Sequence, residues 1–251
     1  MKKTNLKATI FRLTLLSMFG AIIVAMTFIP YVGYITIPVG LSITTVHIIV
    51  ILGAISLNSY SCGLILGSVW GVSCLLYAMV NGTADAAIFL DPRISVIPRM
   101  IVGVLVVAFY RLALLANKHK LTDILLKVLT IAAVSAFAGL LCQNISHITV
   151  ASVIVGIVVA ILFVSLFFFF EKNKEYMPSL FATLCGTFSN TALVLTAINI
   201  FGGGAMVDLF GAIKNIFSVA IALNGTVEIL AAAIIAAPCG IAIQKALSKL
   251  R

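Results

Sequence analysis

Residues 9–29 are apolar apart from one charge, Arg12, and a few hydroxyls, and seven further apolar runs follow before the last residue. Crossing about 30 Å of hydrocarbon takes roughly 20 apolar residues in a helix. By that ruler the candidate spans are 9–29, 43–57, 61–80, 94–115, 122–143, 148–170, 178–200 and 216–244, the second of them short. Lipid offers no partners to peptide groups, so only helices and closed barrels cross it. None of these runs alternates like a barrel strand, so the expected fold is an all-α polytopic bundle. The 251 residues are 63% hydrophobic and 9% charged, with a mean hydropathy of +1.25. No soluble domain fits between the runs, which excludes a nucleotide-binding site carried by this chain. The first run has no A-x-A-like cleavage site after it and reads as a retained span.

Topology follows from the basic residues, which favour the cytoplasmic side. With the N-terminus inside and eight alternating spans, 13 of the 16 lysines and arginines fall at inner ends, and only Arg93, Arg99 and Lys214 fall outside. Both termini are therefore expected in the cytoplasm, in a multi-pass cell-membrane protein. The net charge of +9 then reports topology, not a nucleic-acid partner. The irregular sequence lies on the outer side: 30–42, 81–93 and 201–214 are rich in proline or glycine. Long outer loops above a bundle point to a site facing the exterior.

Scarce charges in such a chain need a reason. In "DPRISVIPRM" (91–100), Pro92 suits the first turn of a helix, and Pro98 should kink the span one turn later. Arg99 follows below the interface, where an arginine must face protein, water or a ligand. Arg93 stays in the headgroup layer. Glu228 is the only acid deep inside a predicted span, and Asn224 precedes it by one turn on the same face. Asn190 lies near the middle of the seventh run, and His47 opens the second. At 1.5 Å per residue, Arg99 and His47 lie roughly 6–8 Å deep, and Asn190, Asn224 and Glu228 roughly 13–18 Å deep. Together they are the expected lining of one binding site, with Trp70, Tyr77 and Tyr34 as aromatic wall. The bland alternatives are an Arg99–Glu228 ion bridge, amide glue between helices and interfacial aromatics.

Gly63, Gly67 and Gly71 repeat every four residues and mark a close-packing face. Ala21 and Ala25 form a smaller pair on the first run, suited to internal packing or to a partner helix. Five cysteines stand singly with no C-x-x-C spacing, and read as small buried hydrophobes. There is no H-E-x-x-H, no G-x-S-x-G and no paired aspartates, so neither an enzyme nor a metal site is expected.

Several blocks in order, "IPVGLSITTVHIIVILGAISL", "CGLILGSVWGVSCLLYA", "DPRISVIPR", "GTFSNTALVL" and "NGTVEILAAAII", resemble the substrate-binding S components of energy-coupling factor (ECF) vitamin transporters. The pantothenate-type group is the nearest likeness. The resemblance implies a six-helix core, here 1–115 and 177–251, that binds a vitamin from outside and releases it inside by reorienting. It also implies a transmembrane coupling subunit, met through Ala21 and Ala25, and two separate cytoplasmic ATPases that use the ATP. No cofactor is implied for this chain. The stretch 116–176 departs from the pattern and reads as an inserted transmembrane hairpin. Arg99 would hold a carboxylate, Asn190, Asn224 and His47 would meet hydroxyl or amide groups, and Glu228 would orient Arg99 or an amide. The ligand is expected to be pantothenate or another small anionic vitamin, with riboflavin, folate, thiamine or pyridoxine classes as alternatives. Two rival classes are a stand-alone secondary transporter using Glu228 and a membrane enzyme or scaffold docking through 116–176.

Overall fold

A computed structural model describes residues 6–29, 31–37, 41–81, 87–146, 149–170, 175–202 and 214–249. The chain begins with α1 (Leu6–Phe28) and turns into a small antiparallel hairpin of β1 (Tyr34–Ile37) and β2 (Leu41–Thr44), in which Tyr34 pairs with Thr44 and Ile37 with Leu41. Then come α2 (Val46–Leu57), α3 (Tyr60–Asn81), a single 3₁₀ turn at Ile88–Leu90, α4 (Pro92–Ser95) and α5 (Ile97–Ala116). The chain closes with α6 (Lys120–Ser146), α7 (Thr149–Phe170), α8 (Met177–Phe201) and α9 (Lys214–Lys249). Apart from the hairpin this is an all-α bundle. Among the described residues six helices are long and apolar enough to cross a bilayer, the mark of a multi-pass membrane protein.

One of the eight expected spans, 43–57, falls short of that length: its helix is Val46–Leu57. The difference has a clear cause: β2 takes residues 43 and 44, so helix starts only at Val46. At 1.5 Å per residue α2 is about 18 Å long, little more than half a bilayer core. It nevertheless sits at the centre, packed against α1, α3, α5, α8 and α9. Eleven of its twelve residues are buried. A helix enclosed on all sides has no polar stripe, which is why its sequence looks like an ordinary lipid-facing run. Its neighbours are longer, and before Val46 the chain is hairpin, not helix.

The glycine stripe sets the closest helix contact. A Cβ on Gly67 would land on the Arg99 carbonyl, and Gly63 and Gly103 meet main chain to main chain. A Cβ on Gly71 would press on the Val96 Cα at 2.8 Å. Only hydrogen in place of a side chain lets α3 and α5 approach this far, and without water that close packing is the main attraction available. On α1 the core face is Leu15, Phe19 and Ile23, whereas Ala21 and Ala25 are exposed on another face. Their internal-packing role is thereby excluded.

The pair α6–α7 packs on α8 and α9 and does not join the α2-centred core. Phe167 stacks on Phe181 at 6.1 Å, and Phe163 meets Phe167 edge-on.

The short α2–α3 turn holds Asn58 at φ 45°, ψ 47°, left-handed backbone. Arg111 donates from Nε to the Asn58 side-chain oxygen at 2.9 Å and from Nη2 to its carbonyl at 2.7 Å, while lying 4.4 Å over the Tyr60 ring. Asn58→Ala is expected to cost about 2 kcal/mol, because alanine pays the left-handed penalty and loses the Arg111 bond. Asn58→Gly relieves the backbone and keeps the carbonyl bond, so its thermal midpoint in detergent should fall less. Equal drops would show that the backbone conformation is not what Asn58 is there for.

Candidate ligand-binding site

The site begins with a proline. Pro98 has no N–H, so the carbonyl four residues back, that of Ile94, has no helical donor. The helix breaks there: α4 ends at Ser95 and α5 starts at Ile97, with Pro98 in its first turn. Arg99 Nη1 donates to the stranded Ile94 carbonyl. The expected kink is thus a break, and the arginine next to the proline fills the gap it makes. Asp91 caps α4 by accepting from the Arg93 N–H at 2.8 Å, and it pairs with the Arg93 guanidinium at 2.6 Å. That hydrogen-bonded guanidinium holds the Asp91 carboxyl below the ordinary range. Arg93 itself is exposed and lies over Phe201.

Arg99, by contrast, is only 5% exposed. Its guanidinium lies 5.5 Å from the Trp70 ring centre and 5.2 Å from that of Phe89. Two π faces and one carbonyl leave its Nε without a partner among the described residues. Trp70 is fully buried one turn beyond Gly67, and its indole N–H faces the Tyr34 hydroxyl without a well-formed hydrogen bond among the described residues. His47 lies 6.5 Å from Trp70 between ring centres and faces the Thr44 backbone, with no well-formed hydrogen bond from either nitrogen among the described residues. Tyr34, from the hairpin, stacks on Tyr77 at 5.4 Å, and Phe28 meets Tyr77 edge-on. The Tyr34 hydroxyl points inward within reach of Cys74 and the Trp70 indole and near Arg99, without a well-formed hydrogen bond among the described residues. Burial raises its pKa above the ordinary phenol value, with Cys74 adding to the rise. The hydroxyl therefore stays protonated.

Asn190 reaches the same place from α8. Gly186 packs on the Ile51 side chain of α2, and the two helices run antiparallel, since α9 runs with α2 (Glu228 at Thr44, Gln244 at Ile55) and against α8 (Thr191 at Glu228, Ser179 at Ala237). One turn toward the hairpin from each lie Asn190 and His47, which therefore stand at the same level. The Asn190 side-chain oxygen and the Thr187 hydroxyl are buried and unpaired. Glu228 on α9 is 4% exposed and accepts the Thr44 N–H at 2.6 Å, with the Thr44 and Thr191 hydroxyls also against it. The hairpin is tied to the last helix through this carboxylate.

Of the residues expected from sequence, Tyr34, His47, Trp70, Tyr77, Arg99, Asn190 and Glu228 come together. Asn224 falls outside the residues whose side chains are described. One reading is corrected: Glu228 does not orient Arg99. The three ion pairs among the described residues are Asp91–Arg93, Asp123–Lys127 and Glu175–Lys245. Glu228 is instead engaged by the hairpin main chain. Thr187, Cys74, Phe89 and the Thr44 peptide join the site without having been expected there. Thr187 does carry a signal, being three residues before Asn190 on one helix face. The Thr44 peptide carries no side-chain signal.

Seven buried side-chain atoms make no well-formed hydrogen bond among the described residues, and they belong to Tyr34, His47 (two), Trp70, Arg99, Thr187 and Asn190. Proteins seldom leave such groups unpaired, because each costs about 1–3 kcal/mol. A cavity of about 290 Å³ lies at the opposite end, between Leu114, Asn117, Pro178 and Gln244, and none of the expected site residues lines it. No family model matches the chain, and no curated protein matches it either.

Proposed function

We propose that the chain is the vitamin-binding subunit of an ECF-type importer in a prokaryotic plasma membrane, taking a small anionic vitamin, pantothenate first, from the extracellular side. The observation that carries this reading is the gathering of buried, under-bonded polar groups of Tyr34, His47, Trp70, Thr187 and Asn190 with a buried arginine. A guanidinium sandwiched between rings, with donor capacity left over, suits a carboxylate. His47, Asn190 and Thr187 offer donors and acceptors for hydroxyl and amide groups. The exposed Ala21 and Ala25 support docking on a coupling subunit, since small residues on a lipid-facing helix admit a close partner. ATP would be hydrolysed by two separate cytoplasmic subunits, and the bundle would reorient to release its ligand inside.

Trp70 is the only tryptophan in the chain and lies beside Arg99. Titrating the purified protein with a vitamin panel should therefore give a saturable change in tryptophan emission at sub-micromolar pantothenate. A flat response to every vitamin, with no heat by calorimetry, defeats the proposal. A second reading, a self-sufficient transporter with Glu228 as proton carrier, draws on that buried acid having no ion-pair partner among the described residues. It requires pH-driven uptake into liposomes that contain this chain alone.

A further inference from the structure

Two groups of opposite charge type, Arg99 and Glu228, are both buried in this cluster and do not pair with each other. The fold keeps them apart. Arg99 is on α5 and Glu228 on α9, while α2 and α8 each pack against both of those helices and against one another. Four such neighbours at about 9 Å spacing form a rhombus whose long diagonal, from α5 to α9, is roughly 15 Å. The charged groups are therefore several ångströms apart, with His47 on α2 and Asn190 on α8 carried by the two helices that lie between. The protein gives Arg99 one carbonyl and two rings, and gives Glu228 one peptide N–H and the Thr44 and Thr191 hydroxyls, which leaves the carboxylate one further lone pair to offer.

Resting on the vitamin-binding reading above, we infer that the site is polarised and takes its ligand in one direction. The carboxylate lies at Arg99, and hydrogen-bond donors at the ligand's far end meet Glu228. The substrate class is therefore an acid that carries hydroxyl groups several ångströms from its carboxylate, not an anion of any shape. Glu228 becomes the residue that reads the far end. The same carboxylate holds Thr44, so the hairpin above the ligand and the ligand's donor end share one acceptor.

Three probes separate the ends: pantothenate, panthenol (alcohol in place of the acid) and N-(3,3-dimethylbutanoyl)-β-alanine, which keeps acid and amide but has neither hydroxyl. On the unaltered full chain the dihydroxyl-free probe is expected to bind about 30-fold more weakly than pantothenate. On Glu228→Leu that ratio should collapse toward 1, while the preference for pantothenate over panthenol persists. Arg99→Ala should do the reverse. Glu228→Gln, which keeps an acceptor for Thr44, guards against a folding defect and should give an intermediate ratio. An unchanged hydroxyl ratio in both Glu228 variants overturns the assignment, as does equal binding of the dihydroxyl-free probe to the unaltered chain. Either result leaves the vitamin-binding reading standing. Failure of the unaltered chain to bind pantothenate removes both.

Discussion

Arg99→Ala is expected to weaken binding of the carboxylate ligand by about 3 kcal/mol, near 100-fold, while the protein stays folded. The loss is large because a buried carboxylate that loses its cation retains its desolvation cost. Arg99→Lys should recover only part of it. An ammonium is a compact point charge and cannot both lie flat between Trp70 and Phe89 and reach the Ile94 carbonyl. Calorimetric titration measures the affinity, and thermal unfolding in detergent measures the stability. If the alanine variant unfolds well below the parent yet binds equally well, Arg99 is a structural plug for the Pro98 break and nothing more.

Gly67→Ile is expected to abolish folding of the bundle or to cost upward of about 3 kcal/mol. The added Cβ would fall on the Arg99 carbonyl, which is helix main chain and cannot turn aside. Its effect would spread, because that contact also fixes the height of Arg99 beside Trp70. Gly67→Ala should already lower the thermal midpoint and weaken the ligand. Gly20 is the control: a Cβ there meets nothing within 4 Å, so Gly20→Ala should leave both quantities alone. A Gly67→Ala protein with the parent's midpoint would mean that α3 and α5 do not need their close approach.

Much of the site is legible in the sequence itself, for reasons tied to particular residues. A buried charge in lipid is expensive wherever it stands, so Arg99 and Glu228 stand out by position alone. Pro98 makes a free carbonyl inevitable, although not which group takes it. Uniform apolarity is what misleads: α2 has no polar face, so its run resembles a short span when it is the enclosed centre of the bundle. The same uniformity hides the switch from strand to helix at Thr44–Val46.

Local chemistry determined that this chain would be helical, bundled and membrane-bound, because peptide groups in hydrocarbon must bond within their own segment and the glycine stripe needs a neighbour's backbone. Which polar groups meet was decided only by the tertiary arrangement. Glu228 took the Thr44 peptide and not Arg99, and Ala21 turned outward while Phe19 turned in. These are contacts between segments up to 184 residues apart. They depend on how far a short central helix lets its longer neighbours close around it, a property of the assembled bundle and of no single run.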